Sequence, residues 1–337
     1  MFVGHALLAF ALVAAVAHRL GSERALTLGV VAAAFAAVPD VDIGYALVGV
    51  ASHLGGVGVA GATGAGGTAA GDAVSLAATF WSTGNVVHRA VTHSLVVAPV
   101  VAAAAALWVT DRTDARLVGA ALLGGLVAVA AAVSGALGAA VMLAFAVAAL
   151  LLAAAVAGRT DLTPAATFAV AAFGLLSHPF GDLFTGEPPR LLYPLGVELV
   201  PHRVALSPDP TLHLLAAFGV ELATVWAAAL VWARIRATDA GGPARLLPRV
   251  DARAVAGAGY AASALVIPAP TLDLSYPFVF SVLAVGLVGV APRVRLRPRT
   301  WRIGVARPGP ERTVFTALAA VTVAAAAYLL AYLGGVA

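Results

Sequence analysis

The chain is built from long apolar runs set apart by short polar breaks that hold nearly all of its charge. Crossing the hydrocarbon core of a bilayer takes about 20 apolar residues in a helix. Runs near that length lie at roughly 3–18, 24–39, 92–109, 116–133, 136–157, 164–181, 211–233, 252–268, 275–291 and 313–333. The pattern predicts an all-α polytopic transmembrane bundle of about ten spans. Only a Ser-Gly break at 134–135 separates the fourth run from the fifth. Alanine and glycine recur in every run and suit close helix packing in lipid. The opening MFVGHALLAFALVAAVAHRL carries its positive charge after the apolar stretch, so it reads as a retained first span rather than a cleaved signal.

Two longer stretches interrupt the runs. Residues 43–87 contain GVGVAGATGAGGTAAGD, a flexible loop by composition. Residues 182–210 hold Pro188, Pro189, Pro194, Pro201, Pro208 and Pro210, which predicts an ordered but non-helical connection. On this reading residues 1–210 form a core with two site loops, and residues 211–337 add four C-terminal spans.

Composition strengthens the membrane assignment. Of 337 residues, 61% are hydrophobic and 11% charged, with a mean hydropathy of +0.98, whereas soluble domains carry about 25% charged residues. The net charge of +4 does not indicate a nucleic-acid partner. All 20 basic residues are arginines, most of them in the short breaks, which is how charges set topology. If the 19–24 turn is cytoplasmic, alternation brings 17 arginines to that side and leaves Arg89, Arg190 and Arg203 opposite. Both termini then lie outside. Cysteine is absent, so any metal must be held by imidazole and carboxylate.

Chemistry concentrates in four segments that this topology sends to one extracytoplasmic face. They are Gly4-His5, Pro39-Asp40-Val41-Asp42, His88-Arg89-Ala90-Val91-Thr92-His93-Ser94 and Ser177-His178-Pro179-Phe180-Gly181-Asp182. Two aspartates two residues apart repel each other unless a cation lies between them; alone, they read equally well as a solvated helix stop. His88 and His93 reach one site only if a helix begins between them. His178 and Asp182, four apart, share a helical face if the helix survives Pro179. Convergence outweighs each segment singly, because ionisable groups at a membrane are costly and mark function. Imidazole with carboxylate suits zinc, with manganese or iron as alternatives, and seven ligands leave room for one or two ions. Elsewhere, His18 and His53 carry little weight, and His202 beside Arg203 could help to hold an anion. His213 and Glu221 read as a structural hydrogen-bonding pair of positions on one helix face.

The set GHALLAF, PDVD, HRAVTHS and GLLSHPFGDLFTGEPPRLLYP resembles the YdjM-like family of membrane-bound, metal-dependent hydrolases. Its HRxxTHS and PDxD elements are similar to those of the zinc-dependent phospholipase C group. The resemblance covers roughly residues 1–200. It implies a metal site of His5, Asp40, Asp42, His88, His93, His178 and Asp182, supported by Arg89, Thr92 and Thr185. It implies hydrolysis of an ester or phosphoester, with Asp42 or Asp182 as general base and Arg89 offsetting substrate charge. A lipid or lipid-linked substrate is expected at that depth. The intervening spans 4 and 5, the long 43–87 loop and the four C-terminal spans depart from the family pattern. The competing expectation is a cation transporter or channel that uses the same residues. Such a protein would be expected to place them near the midplane on broken helices.

Overall fold

In a computed structural model the apolar runs are helical almost throughout. The structure describes residues 3–60, 75, 76, 79, 80, 83, 89–239, 249–297, 302–306 and 308–336. It divides into two compact units. One holds Thr27–Leu183 and Glu187–Arg203; the other holds Met1–Leu26, Phe184–Gly186 and Val204–Ala337.

In the first unit α2 (Ser22–Ala37) runs into a 3-10 helix over Val38–Tyr45 and then α3 (Ala46–Ala60). Helix therefore covers residues 46–60, where the sequence suggests that the 43–87 loop has begun; most of the glycine-rich remainder lies outside the described residues. A 3-10 turn, Val91–His93, leads to α4 (Val97–Trp108), followed by α5 (Thr113–Arg159) and α6 (Pro164–Gly181). Thr163 caps α6, its side chain accepting from the Ala166 N–H at 3.2 Å, and Pro164 occupies the first turn, where no N–H is needed. α4 packs against both α5 and α6.

The 47 residues of α5 would span about 70 Å at 1.5 Å per residue, more than twice the ~30 Å core. Gly135 breaks it with φ 67° and ψ −162°, a conformation open to a residue without Cβ. The Ser-Gly break thus divides the run where the sequence places the boundary. α6 crosses α2 at Gly174, where an added Cβ would stand 2.4 Å from the Ala32 carbonyl oxygen.

The second unit contains α1 (Gly4–Ala17) and α7 (Pro210–Asp239), which pack together. A 3-10 helix (Ala252–Leu265), α8 (Tyr276–Ala284), α9 (Leu287–Val290) and α10 (Pro310–Leu333) follow. Its core gathers Leu214, Phe218, Val282 and the Phe278–Tyr328 ring pair, whose centroids are 5.0 Å apart. Gly257 and Gly289 let α10 approach so closely that a Cβ on either would meet its backbone.

The expectation of a helical bundle with several spans is met in part. Among the described residues, five helices are long and apolar enough to cross a membrane: Ser22–Leu54, Thr113–Arg159, Pro164–Phe184, Pro210–Thr238 and Pro310–Leu333. Gly4–Leu20, Val97–Trp108 and Tyr276–Gly289 are shorter apolar helices. The run at 252–268 is wound as 3-10 helix, and 275–291 is divided between α8 and α9. The arginine-rich segment near 300 adds a short hairpin to the helical fold. There β1 (Arg293–Arg297) pairs antiparallel with β2 (Arg302–Ala306), in register Arg293 to Ala306.

Candidate metal centre

Within the first unit, three of the four motif segments meet. Asp40 and Asp42 lie in the 3-10 helix after α2. At three residues per turn, positions two apart point about 120° from each other, and the two carboxylates part accordingly. Asp42 is 1% exposed on the Nδ1 side of His93, while the Asp40 side chain, 20% exposed, stands beside His178. His93 ends a 3-10 turn, and α4 begins only at Val97, after both histidines of the motif rather than between them. Arg89 precedes that turn with φ 68°, a left-handed conformation that costs a non-glycine residue about 1–3 kcal/mol. Its neighbours hold it there: its carbonyl accepts from Arg190 N–H at 2.9 Å and its N–H donates to Asp42 Oδ2 at 3.4 Å. His178 occupies the last turn of α6, which continues through Pro179, and Asp182 follows directly.

The hydrogen bonds assign the protons. His178 Nδ1 lies 2.6 Å from the Ala36 carbonyl oxygen, which only accepts, so Nδ1 carries the hydrogen and Nε2 the lone pair. Thr92 donates its one hydroxyl hydrogen to Asp42 Oδ2 at 2.6 Å. The hydroxyl oxygen can then only accept from His93 Nδ1, 2.8 Å away, and Nε2 of His93 is again the lone-pair nitrogen.

Both lone pairs face the same point. His93 Nε2 stands 2.9 Å from His178 Nε2 and 3.0 Å from Asp182 Oδ2, and His178 Nε2 stands 3.5 Å from Asp40 Oδ1. Four acceptor atoms thus converge where the neutral tautomers place no hydrogen, and His93 and His178 are wholly buried. Such an arrangement could hold a cation at its centre. Among the described residues Asp40, Asp42 and Asp182 share this region with the Arg89 guanidinium, 3.3 Å from Asp182 Oδ1. Bonds of about 2.0–2.2 Å to nitrogen and oxygen in a tetrahedral site put neighbouring donors about 3.3–3.6 Å apart. The observed separations run from 2.9 to 3.9 Å and bracket that spacing, with His93 Nε2 closer to His178 and Asp182 than bound donors would stand. Asp40, His93 and His178 form a group able to hold a metal by proximity alone.

The other expected ligands divide. His5 is buried in the first turn of α1, in the second unit, and Thr185 also belongs to that unit. His88 lies outside the described residues. His213 is a structural group of the second unit, with Nδ1 accepting from Leu206 N–H at 3.0 Å and Nε2 donating to the Phe184 carbonyl at 2.9 Å. Glu221 accepts from the Val3 N–H at 3.3 Å. Sequence reasoning missed the Ala36 carbonyl that sets the His178 tautomer. Gly174, one turn before His178 and pressed against α2, was the available signal. Ser94 was named only as part of its motif. Its hydroxyl donates to the Tyr193 carbonyl at 2.6 Å and accepts from Val97 N–H at 3.2 Å, tying the start of α4 to the proline-rich loop.

No curated protein and no solved structure matches this chain. The family model described as YdjM inner membrane protein matches residues 1–241, a range that contains all three converging segments and well over half of the sequence. On that match the chain, a membrane protein by its helices, belongs to the YdjM inner membrane protein family.

Proposed function

We propose that the protein is a membrane-embedded, metal-dependent hydrolase of a lipid or lipid-linked ester or phosphoester. The observation that carries this reading is the convergence of two imidazole lone pairs and two carboxylate oxygens. A divalent ion held there, zinc before manganese or iron, supplies Lewis acidity and lowers the pKa of water near the scissile group. His93, His178, Asp40 and Asp182 would hold it. Asp182 is favoured over Asp42 for proton transfer, because Asp42 is committed to Thr92 on the far side of His93. Arg89 positions Asp182 with one guanidinium nitrogen and donates to the Glu187 carbonyl with the other at 2.8 Å, so it also brings positive charge to the site's edge.

We place the site at the extracytoplasmic face, with about ten crossings and both termini outside. The distribution of 17 arginines against three supports that sidedness, and the Gly135 break supports two crossings within α5.

The test is metal analysis of the purified protein together with a panel of esters, phosphoesters and lipids. His93→Ala and Asp182→Ala should each lose bound metal and hydrolysis together. Full metal and full activity in both variants would falsify the proposal. Loss of ion flux in proteoliposomes, with no hydrolysis by the wild type, would instead favour a transporter.

A further inference from the structure

The hairpin near residue 300 lies beyond the family match at residues 1–241 and shares no residue with the metal centre. Its strands pair Val294 with Val305 and Leu296 with Ile303. Alternation along a strand puts those four aliphatic positions on one face. Arg293, Arg295, Arg297 and Arg302 take the other face, together with Gly304 and Ala306. Arg297 and Arg302 are direct partners in the register, and like charges so placed repel each other unless an anion lies over them. From 293 to 312 the chain holds seven arginines and a single acidic residue, Glu311.

We infer that this hairpin lies on the membrane surface, its aliphatic face toward the acyl chains and its arginine face on the phosphates of anionic lipids. The inference stands apart from the hydrolase reading. Two five-residue strands alone are marginal in water. Among the described residues the strands pack mainly on each other, and no helix packs broadly along them. A bilayer interface supplies the apolar contact they need, and arginine forks suit lipid phosphates.

Position agrees with this. α10, long and apolar enough to cross a membrane, starts at Pro310, and β2 ends at Ala306. Four chain steps of at most about 3.5 Å keep the hairpin within ~14 Å of that helix end. At the foot of β1, Arg253 donates to the Gly289 and Ala291 carbonyls and ties the chain down. The strand edges set the depth. In a two-stranded sheet each strand keeps one unpaired edge, and open edges do not occur in lipid hydrocarbon. The hairpin therefore stays at headgroup level. Trp301, between the strands in the sequence, is a residue type enriched at that level.

The chain has no cysteine, so single cysteines carrying an environment-sensitive fluorophore can report on each face in the full-length protein. The protein is reconstituted into vesicles of phosphatidylcholine, or of phosphatidylcholine and phosphatidylglycerol in equal parts, with spin labels on the acyl chains as quenchers. Leu296→Cys and Val305→Cys should be quenched strongly and Ala306→Cys weakly. That contrast should need phosphatidylglycerol and fade at high salt. Arg295 stands opposite Gly304, so its replacement relieves no direct arginine pair. Arg295→Gln should weaken the response to phosphatidylglycerol about fivefold, the worth of one arginine at an anionic surface. The lipid and salt comparisons keep all the arginines, so they decide the matter even if that variant misfolds. Equal quenching on both faces, a contrast indifferent to phosphatidylglycerol, or full contrast at high salt overturns the inference. So does a Leu296 label that stays in water in every vesicle and shifts only when polyuridylate is added, which would assign the arginines to nucleic acid.

Discussion

Thr92 shows how much one hydroxyl can decide. Its hydrogen goes to Asp42, its oxygen accepts from His93, and the pair turns the Nε2 lone pair toward His178 and Asp182. Thr92→Val keeps the shape and removes both hydrogen bonds, leaving Nδ1 free to lose its hydrogen and the tautomer unset. Losing such an outer partner typically costs a metal site about 10–100-fold in affinity. Zinc titration of the purified variant should show a loss of that size, and Thr92→Ser should restore most of it. Equal affinity in Thr92→Val and wild type would mean that Asp42 orients the ring unaided. The motif made Thr92 visible in the sequence as a supporting residue. Its donor and acceptor directions were not visible there, because they depend on a carboxylate 50 positions away.

Among the helices, the contact of α6 with α2 carries the site. Gly174 permits it: a Cβ there would lie 2.4 Å from Ala32 O and 2.8 Å from Ala36 N, both backbone atoms that cannot step aside. Gly174→Ala should force the helices apart at a cost of about 1–3 kcal/mol, as overpacking does. It should also lengthen the His178–Ala36 hydrogen bond. Denaturant unfolding in detergent and zinc affinity should fall together; a change in neither would show that α6 reaches the site by another support. The N-terminus of α7 makes a separate prediction. Asp209 accepts from Leu212 N–H at 2.8 Å and from the Tyr332 hydroxyl at 2.9 Å. Those bonds, the backbone one first, hold its carboxyl below the ordinary aspartate range. A lowered folded-state pKa contributes stability above the unfolded pKa and loses it as pH falls through the folded one. Asp209→Ala should therefore melt lower than wild type near neutral pH, and the gap should close in acid. A gap that stays constant down to low pH would argue that the cap acts without its charge.

At the scale of the whole chain the open question is sidedness, and the absence of cysteine makes it directly testable. A cysteine at His202, exposed on the proline-rich loop, should react with an impermeant maleimide from outside intact cells. A cysteine at Arg159, at the end of α5, should be protected until the membrane is opened. The reverse pattern would put the centre on the cytoplasmic side and invert the arginine rule for this protein.

Much was legible in the amino-acid order. Lipid as solvent, the break of α5 at Ser134-Gly135, the non-helical 182–210 stretch and the choice of imidazole and carboxylate follow from local composition, since each depends on adjacent residues alone. The 3-10 winding of Ala252–Leu265 was not legible, because hydropathy reports solvent preference and not whether the backbone winds as α or 3-10. Nor was the division of labour between Asp40 and Asp42, which look alike in PDVD and are parted by a 3-10 winding. The proton positions were furthest from view. His178 takes its tautomer from a carbonyl 142 residues away, and a backbone oxygen has no letter in the sequence. Local chemistry determined which groups could bind a metal; only packing decided which lone pairs meet.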